Sequence, residues 1–84
     1  MEPALAIHEF LEYVVVGLIS RPEDARITRT VEDGGRLLYR IALHPDDVGR
    51  VVGKSGKTIL SIRSLVHASA QKHHVDAEVE VVAI

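Results

Sequence analysis

At 84 residues, with 46% apolar and 26% charged side chains, the chain has the make-up of one small globular domain that must use its core economically. It contains no cysteine, which excludes a disulfide framework and a Cys-ligated zinc site and suits a cytoplasmic setting. The formal net charge of −2 argues against nucleic acid as a partner only as an average, because from Arg50 to His74 stand Arg50, Lys54, Lys57, Arg63 and Lys72 and no acidic residue. Charge acts through local patches, screened over about 8 Å at physiological salt, so this segment outweighs the sum.

Taken in order, Met1-Glu2-Pro3 lacks the basic start of a secretory signal, and Glu9 and Glu12 interrupt the apolar run that follows, so no membrane span is expected. Residues 3–20 read as a helix: Ile7, Phe10, Leu11, Val14, Val15 and Leu18 recur at i, i+3, i+4 spacing, and Pro3 suits a first turn. Arg21-Pro22 stops it, because the residue before a proline disfavours the helical region. Leu5, Val16 and Ile19 point away from the main stripe, which makes that side of the helix a candidate self-association face.

Residues 25–32 and 36–43 read as strands. Ile27 and Val31 alternate with Thr28 and Thr30, and Leu37, Tyr39, Ile41 and Leu43 do the same against Arg36 and Arg40. Asp33-Gly34-Gly35 between them is turn chemistry and predicts an antiparallel hairpin. His44-Pro45-Asp46-Asp47 opens a short helix, with Pro45 at its first position and both aspartates at the positive end of the helix dipole. Val48, Val51 and Val52 form its buried edge and Gly53 ends it. A longer helix follows from about Lys57 to His73, with Ile59, Ile62, Val66 and Ala70 on one stripe. Val75, Ala77, Val79 and Val81, alternating with Asp76, Glu78 and Glu80, then read as a third strand. The order is αββααβ.

The chemistry concentrates at Gly53-Lys54-Ser55-Gly56-Lys57-Thr58. Two glycines bring bare backbone close to a ligand, and the helix that starts at Lys57 has unpartnered N–H groups that attract anions. A nucleotide-binding P-loop would need a glycine, four intervening residues and then Gly-Lys-Ser/Thr, but Val51 and Val48 stand at the two positions where that first glycine would fall. That loop also follows a strand, whereas a short helix precedes this one. A two-residue turn between helices instead offers backbone donors and basic side chains to successive phosphates of a single strand.

Val51-Val52-Gly53-Lys54-Ser55-Gly56-Lys57-Thr58-Ile59, set in this element order, resembles the KH family, whose Gly-x-x-Gly loop clamps about four nucleotides of single-stranded RNA. The resemblance covers the whole chain as one KH domain, residues 1–84, and is similar to the small bacterial single-domain members. It implies an α+β, type II KH fold, with a three-stranded sheet packed on one side by three helices. By the same resemblance Gly53 and Gly56 shape the clamp, Lys54 and Ser55 meet the sugar-phosphate backbone, and Val52 and Ile59 line an apolar groove. Arg50, Lys57 and Arg63 are further basic candidates read from the local patch.

The family resemblance further implies a non-catalytic RNA chaperone or post-transcriptional regulator, linked to cell shape and cell-wall biogenesis. It also implies a dimer, either of this chain or with a second KH-containing protein, and no cofactor. The alternative is a protein-interaction subunit that uses the KH fold chiefly to dimerise. The five histidines, His8, His44, His67, His73 and His74, lack cysteine or a carboxylate pair at ligand spacing, so no metal site is expected. No Ser/His/Asp set has a supporting context for catalysis.

Overall fold

The computed structural model describes residues 2–84. The first helix, α1 (Pro3–Leu18), buries Ala4, Ile7, Leu11 and Val15 along one stripe. It ends two residues before the expected Ser20. Ile19 is already extended (φ −100°, ψ 159°), and Ser20 and Arg21 turn their backbone N–H groups to Asp47, 2.9 Å away in each case. This exit corrects one expectation, because Ile19 folds back half-buried against the core while Leu5 and Val16 remain exposed.

The chain continues through β1 (Arg26–Val31), a tight turn at Asp33–Gly35, and β2 (Leu37–Leu43). The turn closes with Glu32 N–H on the Arg36 carbonyl at 2.7 Å, and Gly34 and Gly35 take φ +84° and +85°, which explains the paired glycines. The two strands pair antiparallel, with Val31 opposite Leu37 and Ile27 opposite Ile41. Then come α2 (Pro45–Val52), the Lys54–Gly56 turn, α3 (Lys57–Lys72) and β3 (Ala77–Ala83), which pairs parallel to β2 with Leu37 beside Ala77 and Ile41 beside Val81. The sheet order is β1-β2-β3, so β2 is central.

That position explains β2's strict pattern: Leu37, Tyr39, Ile41 and Leu43 are all buried under the helices. The Tyr39 hydroxyl donates to the Ala4 carbonyl at 2.6 Å, tying the central strand to the first turn of α1. Burial pushes the Tyr39 phenol above its ordinary pKa, with Arg29 opposing. In β1, an edge strand, the expected inward pair divides: Ile27 is half-buried, but Val31 is 65% exposed. Strand β3 begins two residues later than the spacing of its valines suggests. His74 takes φ +56° and the Val75 N–H donates to the Ala70 carbonyl at 2.9 Å, so Val75 serves the end of α3 rather than the sheet.

The core lies between one face of the sheet and the three helices, where Ile59, Ile62, Val66 and Ala70 of α3 meet Ile7, Leu11 and Val15 of α1 over Tyr39, Ile41, Ala77 and Val79. Each large buried side chain contributes about 1.5–3 kcal/mol. This is the expected α+β arrangement. Among the described residues no helix is long and apolar enough to cross a membrane.

Candidate nucleic-acid interface

The Gly53–Gly56 turn connects two helices that are both anchored in the core. Val51, the last fully buried residue of α2, and Ile59, in the first turn of α3 and 6% exposed, hold the loop from either side. Gly53 N–H completes α2 by donating to Gly49 O at 2.9 Å, and Gly56 N–H donates to Gly53 O at 3.1 Å, closing the turn around Lys54 and Ser55. Among the described residues, the N–H groups of Lys54 and Ser55 have no backbone acceptor. Two donors at the exposed tip are therefore open to an incoming acceptor.

The two glycines serve different purposes. Gly53 sits at φ +79°, ψ 172°, a region essentially confined to glycine, and a Cβ there would lie 2.2 Å from Thr58 Oγ1 and 2.9 Å from the Thr58 backbone nitrogen. Gly56, at φ +74°, ψ 13°, caps α3 in the left-handed region with open space where a Cβ would stand. Ser55 adopts φ +58° without being glycine, a strained conformation at the tip. Thr58 is thus the residue against which the turn is moulded, and the spacing argument did not identify it.

The sequence-derived site residues separate into groups. Lys54, Ser55, Lys57 and Arg50 are exposed on or beside the turn, and Gly53, Gly56 and Val52 are half-exposed there. Ile59 is a core residue, so its contribution to a groove is support from beneath. Arg63 is half-buried, and its Nε donates to the Val79 carbonyl at 3.1 Å, joining α3 to β3. Lys72 lies at the far end of α3, about 22 Å from Lys57 at 1.5 Å per residue, well beyond a screening length. The acid-free segment is accordingly not one patch, and the cations gathered at the turn are Arg50, Lys54 and Lys57. Leu60, 59% exposed and one helical turn on from Lys57, is an apolar neighbour that the periodicity did not single out.

Asp47 departs furthest from the sequence reading. Asp46 is exposed at the start of α2, as a dipole-compensating residue would be, but Asp47 is fully buried. Its Oδ1 accepts from the Ser20 N–H at 2.9 Å and the Ser20 hydroxyl at 2.8 Å, and its Oδ2 accepts from the Arg21 N–H at 2.9 Å. Arg50 Nε lies 3.5 Å from Oδ1. The Ser20 N–H, then the Ser20 hydroxyl, the Arg21 N–H and the Arg50 charge hold this carboxyl below the usual carboxylate range, against the opposing effect of desolvation. His44 caps the same helix, its Nδ1 accepting from the Asp46 N–H at 3.1 Å.

The turn is open surface rather than a cavity, which suits an extended polymer. A hollow of about 460 Å³ lies at the opposite end of α3, among Arg36, His67, Gln71 and Glu78. There Glu78 already pairs with Arg36 at 3.3 Å and lies 2.6 Å from the His67 ring nitrogen, so its carboxylate is engaged within the protein.

Comparison with known proteins agrees with this geometry. The family model described as KhpA/KhpB, KH domain, matches residues 8–81. The RNA-binding protein KhpA of Halalkalibacterium halodurans is 33% identical over 72 residues, covering 86% of this chain and 93% of its own. Its namesake from Chlamydia pneumoniae is 34% identical over 73 residues, 87% of this chain and 92% of the relative. That of Oceanobacillus iheyensis reaches 41% over 59 residues, 70% and 77% of the two chains. With the αββααβ order, the central β2 and the Gly-x-x-Gly turn between α2 and α3, the chain belongs to the KH-domain family of KhpA and KhpB, in the type II arrangement.

Proposed function

We propose that this protein binds single-stranded RNA without catalysing a reaction, clamping the sugar-phosphate backbone at the Gly53–Gly56 turn. The observation that carries the reading is the turn itself: two backbone N–H groups without backbone acceptors at an exposed tip, with Lys54 between the glycines and Lys57 and Arg50 on either side. Phosphate oxygens accept from such donors, and Gly53 and Gly56 keep the approach clear of side chains. The KhpA relatives are named as RNA-binding proteins, which supports the same conclusion. A clamp that holds phosphates rather than base edges suits an RNA chaperone or post-transcriptional regulator acting on many transcripts.

Few contacts come from one turn, so a second copy would raise avidity through effective concentration. Two exposed apolar areas could receive it. One is the α1 side bearing Leu5 and Val16; the other runs along the seam of α1 and α3, where Phe10 and the 58% exposed Leu65 border a hollow of about 230 Å³. We assign the protein to dimers, with itself or with a second KH-containing chain, and the family's description in terms of both KhpA and KhpB supports the latter option.

The test is Lys54→Asp combined with Ser55→Asp, titrated against a fluorescent single-stranded RNA. Binding should be lost while the circular dichroism spectrum is retained, and wild-type affinity should fall with added salt. Unchanged affinity in the folded double variant would refute the clamp. Salt-independent association would favour a protein-interaction subunit.

A further inference from the structure

We propose that the free edge of β1, from Ile27 to Val31, docks an extended segment of a partner protein as an added strand, with a carboxylate of that segment paired to Arg29. This surface lies outside the Gly53–Gly56 turn, and the inference does not depend on the clamp.

The two edges of the sheet differ. On β3 the Val79 carbonyl is taken by Arg63 Nε at 3.1 Å, and His67 of the same helix lies 2.6 Å from Glu78. Nothing comparable covers β1. The bond from the Glu32 N–H to the Arg36 carbonyl sets the phase of the β1–β2 ladder, in which alternate residues exchange both bonds. Thr28 and Thr30 therefore face β2, and Ile27, Arg29 and Val31 turn their N–H and C=O groups outward. Among the described residues, none of these outward groups meets a side chain or a loop. The open stretch is bounded by Arg26, which donates to the Ala25 carbonyl at 2.7 Å, and by the turn at Asp33–Gly35.

Arg29 stands opposite Tyr39, on the helix side of the sheet, and its charge acts on the Tyr39 phenol. It is exposed and, among the described residues, has no carboxylate partner, whereas Arg21, Arg36, Arg40 and Arg50 each have one. A row of unpaired main-chain groups templates another strand. A polypeptide answers both N–H and C=O groups in register, whereas phosphate oxygens only accept. In a two-fold pair of copies, the antiparallel register that uses every outward residue sets Arg29 opposite its own counterpart, and like charges directly opposite repel.

The fitting segment therefore reads apolar-x-acidic-x-apolar, with the acid opposite Arg29 and the apolar side chains beside Ile27 and the 65% exposed Val31. Next to Ile27, between α1 and β1, a hollow of about 260 Å³ lined in part by Val15 has room for one of those side chains.

The probe is the capped peptide Ser-Val-Thr-Glu-Thr-Val-Ser, titrated into isotope-labelled protein and followed by amide NMR. The largest shifts should fall on the amides from Ile27 to Val31, and the Ile27, Arg29 and Val31 N–H groups should exchange with solvent at least about tenfold more slowly at saturation. Shifts centred on Gly53–Gly56, or no binding at millimolar peptide, would overturn the proposal. The same peptide methylated on the glutamate nitrogen should not bind; equal affinity would refute the added strand.

Arg29→Glu should weaken the peptide about fivefold, the upper end of a cross-strand pair, and lysine in place of the peptide's glutamate should restore it. A variant that binds both peptides alike refutes the Arg29 pairing. Should Arg29→Glu fail to fold, the lysine peptide on the wild-type protein decides: about fivefold weaker binding supports the pairing and equal binding refutes it. Single-stranded RNA that slows exchange of the same N–H groups would overturn the choice of a polypeptide. Lys54→Asp with Ser55→Asp should leave peptide affinity unchanged, so the clamp can fail while this surface holds; loss of the peptide in that variant would count against the β1 edge.

Discussion

Alanine at Gly53 and alanine at Gly56 should have very different consequences, although both replace a positive-φ glycine of one motif. At Gly53 the backbone conformation costs about 1–3 kcal/mol for any residue with a Cβ. The new atom also meets Thr58 Oγ1 at 2.2 Å, Thr58 Cβ at 2.6 Å and Thr58 N at 2.9 Å. A side-chain rotation can relieve the first contact but not the third, so the start of α3 must shift, at about 1–3 kcal/mol for an overpacked site. Gly53→Ala thus costs roughly 2–6 kcal/mol in all by these two terms. At Gly56 nothing lies within 4 Å of the added atom, and the left-handed conformation alone costs about 1–2 kcal/mol. A domain of this size has about 4–13 kcal/mol in total. Urea denaturation followed by circular dichroism separates the two cases: with a slope near 1 kcal/mol per molar, the middle of these ranges sets the Gly53→Ala midpoint about 2.5 M below that of Gly56→Ala. Coincident midpoints would show that the moulding of the turn against Thr58 is not what holds it.

Three further outcomes are expected. Tyr39→Phe leaves the Ala4 carbonyl without its 2.6 Å partner and should cost about 1–2 kcal/mol in urea denaturation. Because burial raises the folded-state pKa of Tyr39, the stability from its protonated form is complete below about pH 10 and lost as pH climbs through the raised value; an unchanged alkaline limb in Tyr39→Phe would contradict this. Asp47 has the opposite sign: its folded pKa is lowered, so its contribution is present above about pH 4 and lost as pH falls through the folded value, and Asp47→Asn should flatten the acid limb of a stability–pH curve. Val16→Glu and Leu65→Glu, compared by sedimentation with the wild type, test the proposed dimer: a variant that turns a dimeric wild type into a folded monomer marks the face, two dimeric variants would place the contact on neither face, and a monomeric wild type would refute self-association.

Much of this was legible in the sequence because α1, α2 and α3 each carry their apolar residues at helical spacing and the hairpin has two glycines where positive φ is needed. The position of the turn between two helices followed from Pro45, Gly53 and Gly56. The misreadings share one physical cause, which is that chain-distant contacts override local pattern. Ile19 looked outward because helical spacing was extended past Leu18, where Ser20 is in fact diverted to Asp47 across 27 residues of sequence. Val75 looked like strand because alternation does not register the hydrogen bond that claims its N–H for the end of α3. Arg63 counted as a free cation until β3 supplied the Val79 carbonyl. Asp47 was indistinguishable from Asp46, since two adjacent aspartates at a helix start carry no mark of which one is buried. The periodicity of α3 showed Ile59 on the core stripe, where it is 6% exposed.

The parallel pairing of β2 with β3 has a kinetic consequence. Arg40 on β2 stands beside Glu80 on β3, and the two are 40 residues apart in sequence. Closing so long a loop is entropically costly, and such non-local pairings form late unless the intervening chain is already compact. Here the intervening chain is α2, the glycine turn and α3, which shorten the span when they dock. The turn proposed as the RNA clamp is therefore also the joint on which sheet closure depends. Gly53→Ala is expected to slow refolding in stopped-flow measurements as well as to lower the urea midpoint. A variant with wild-type refolding and only faster unfolding would show that β3 finds β2 before the joint is set.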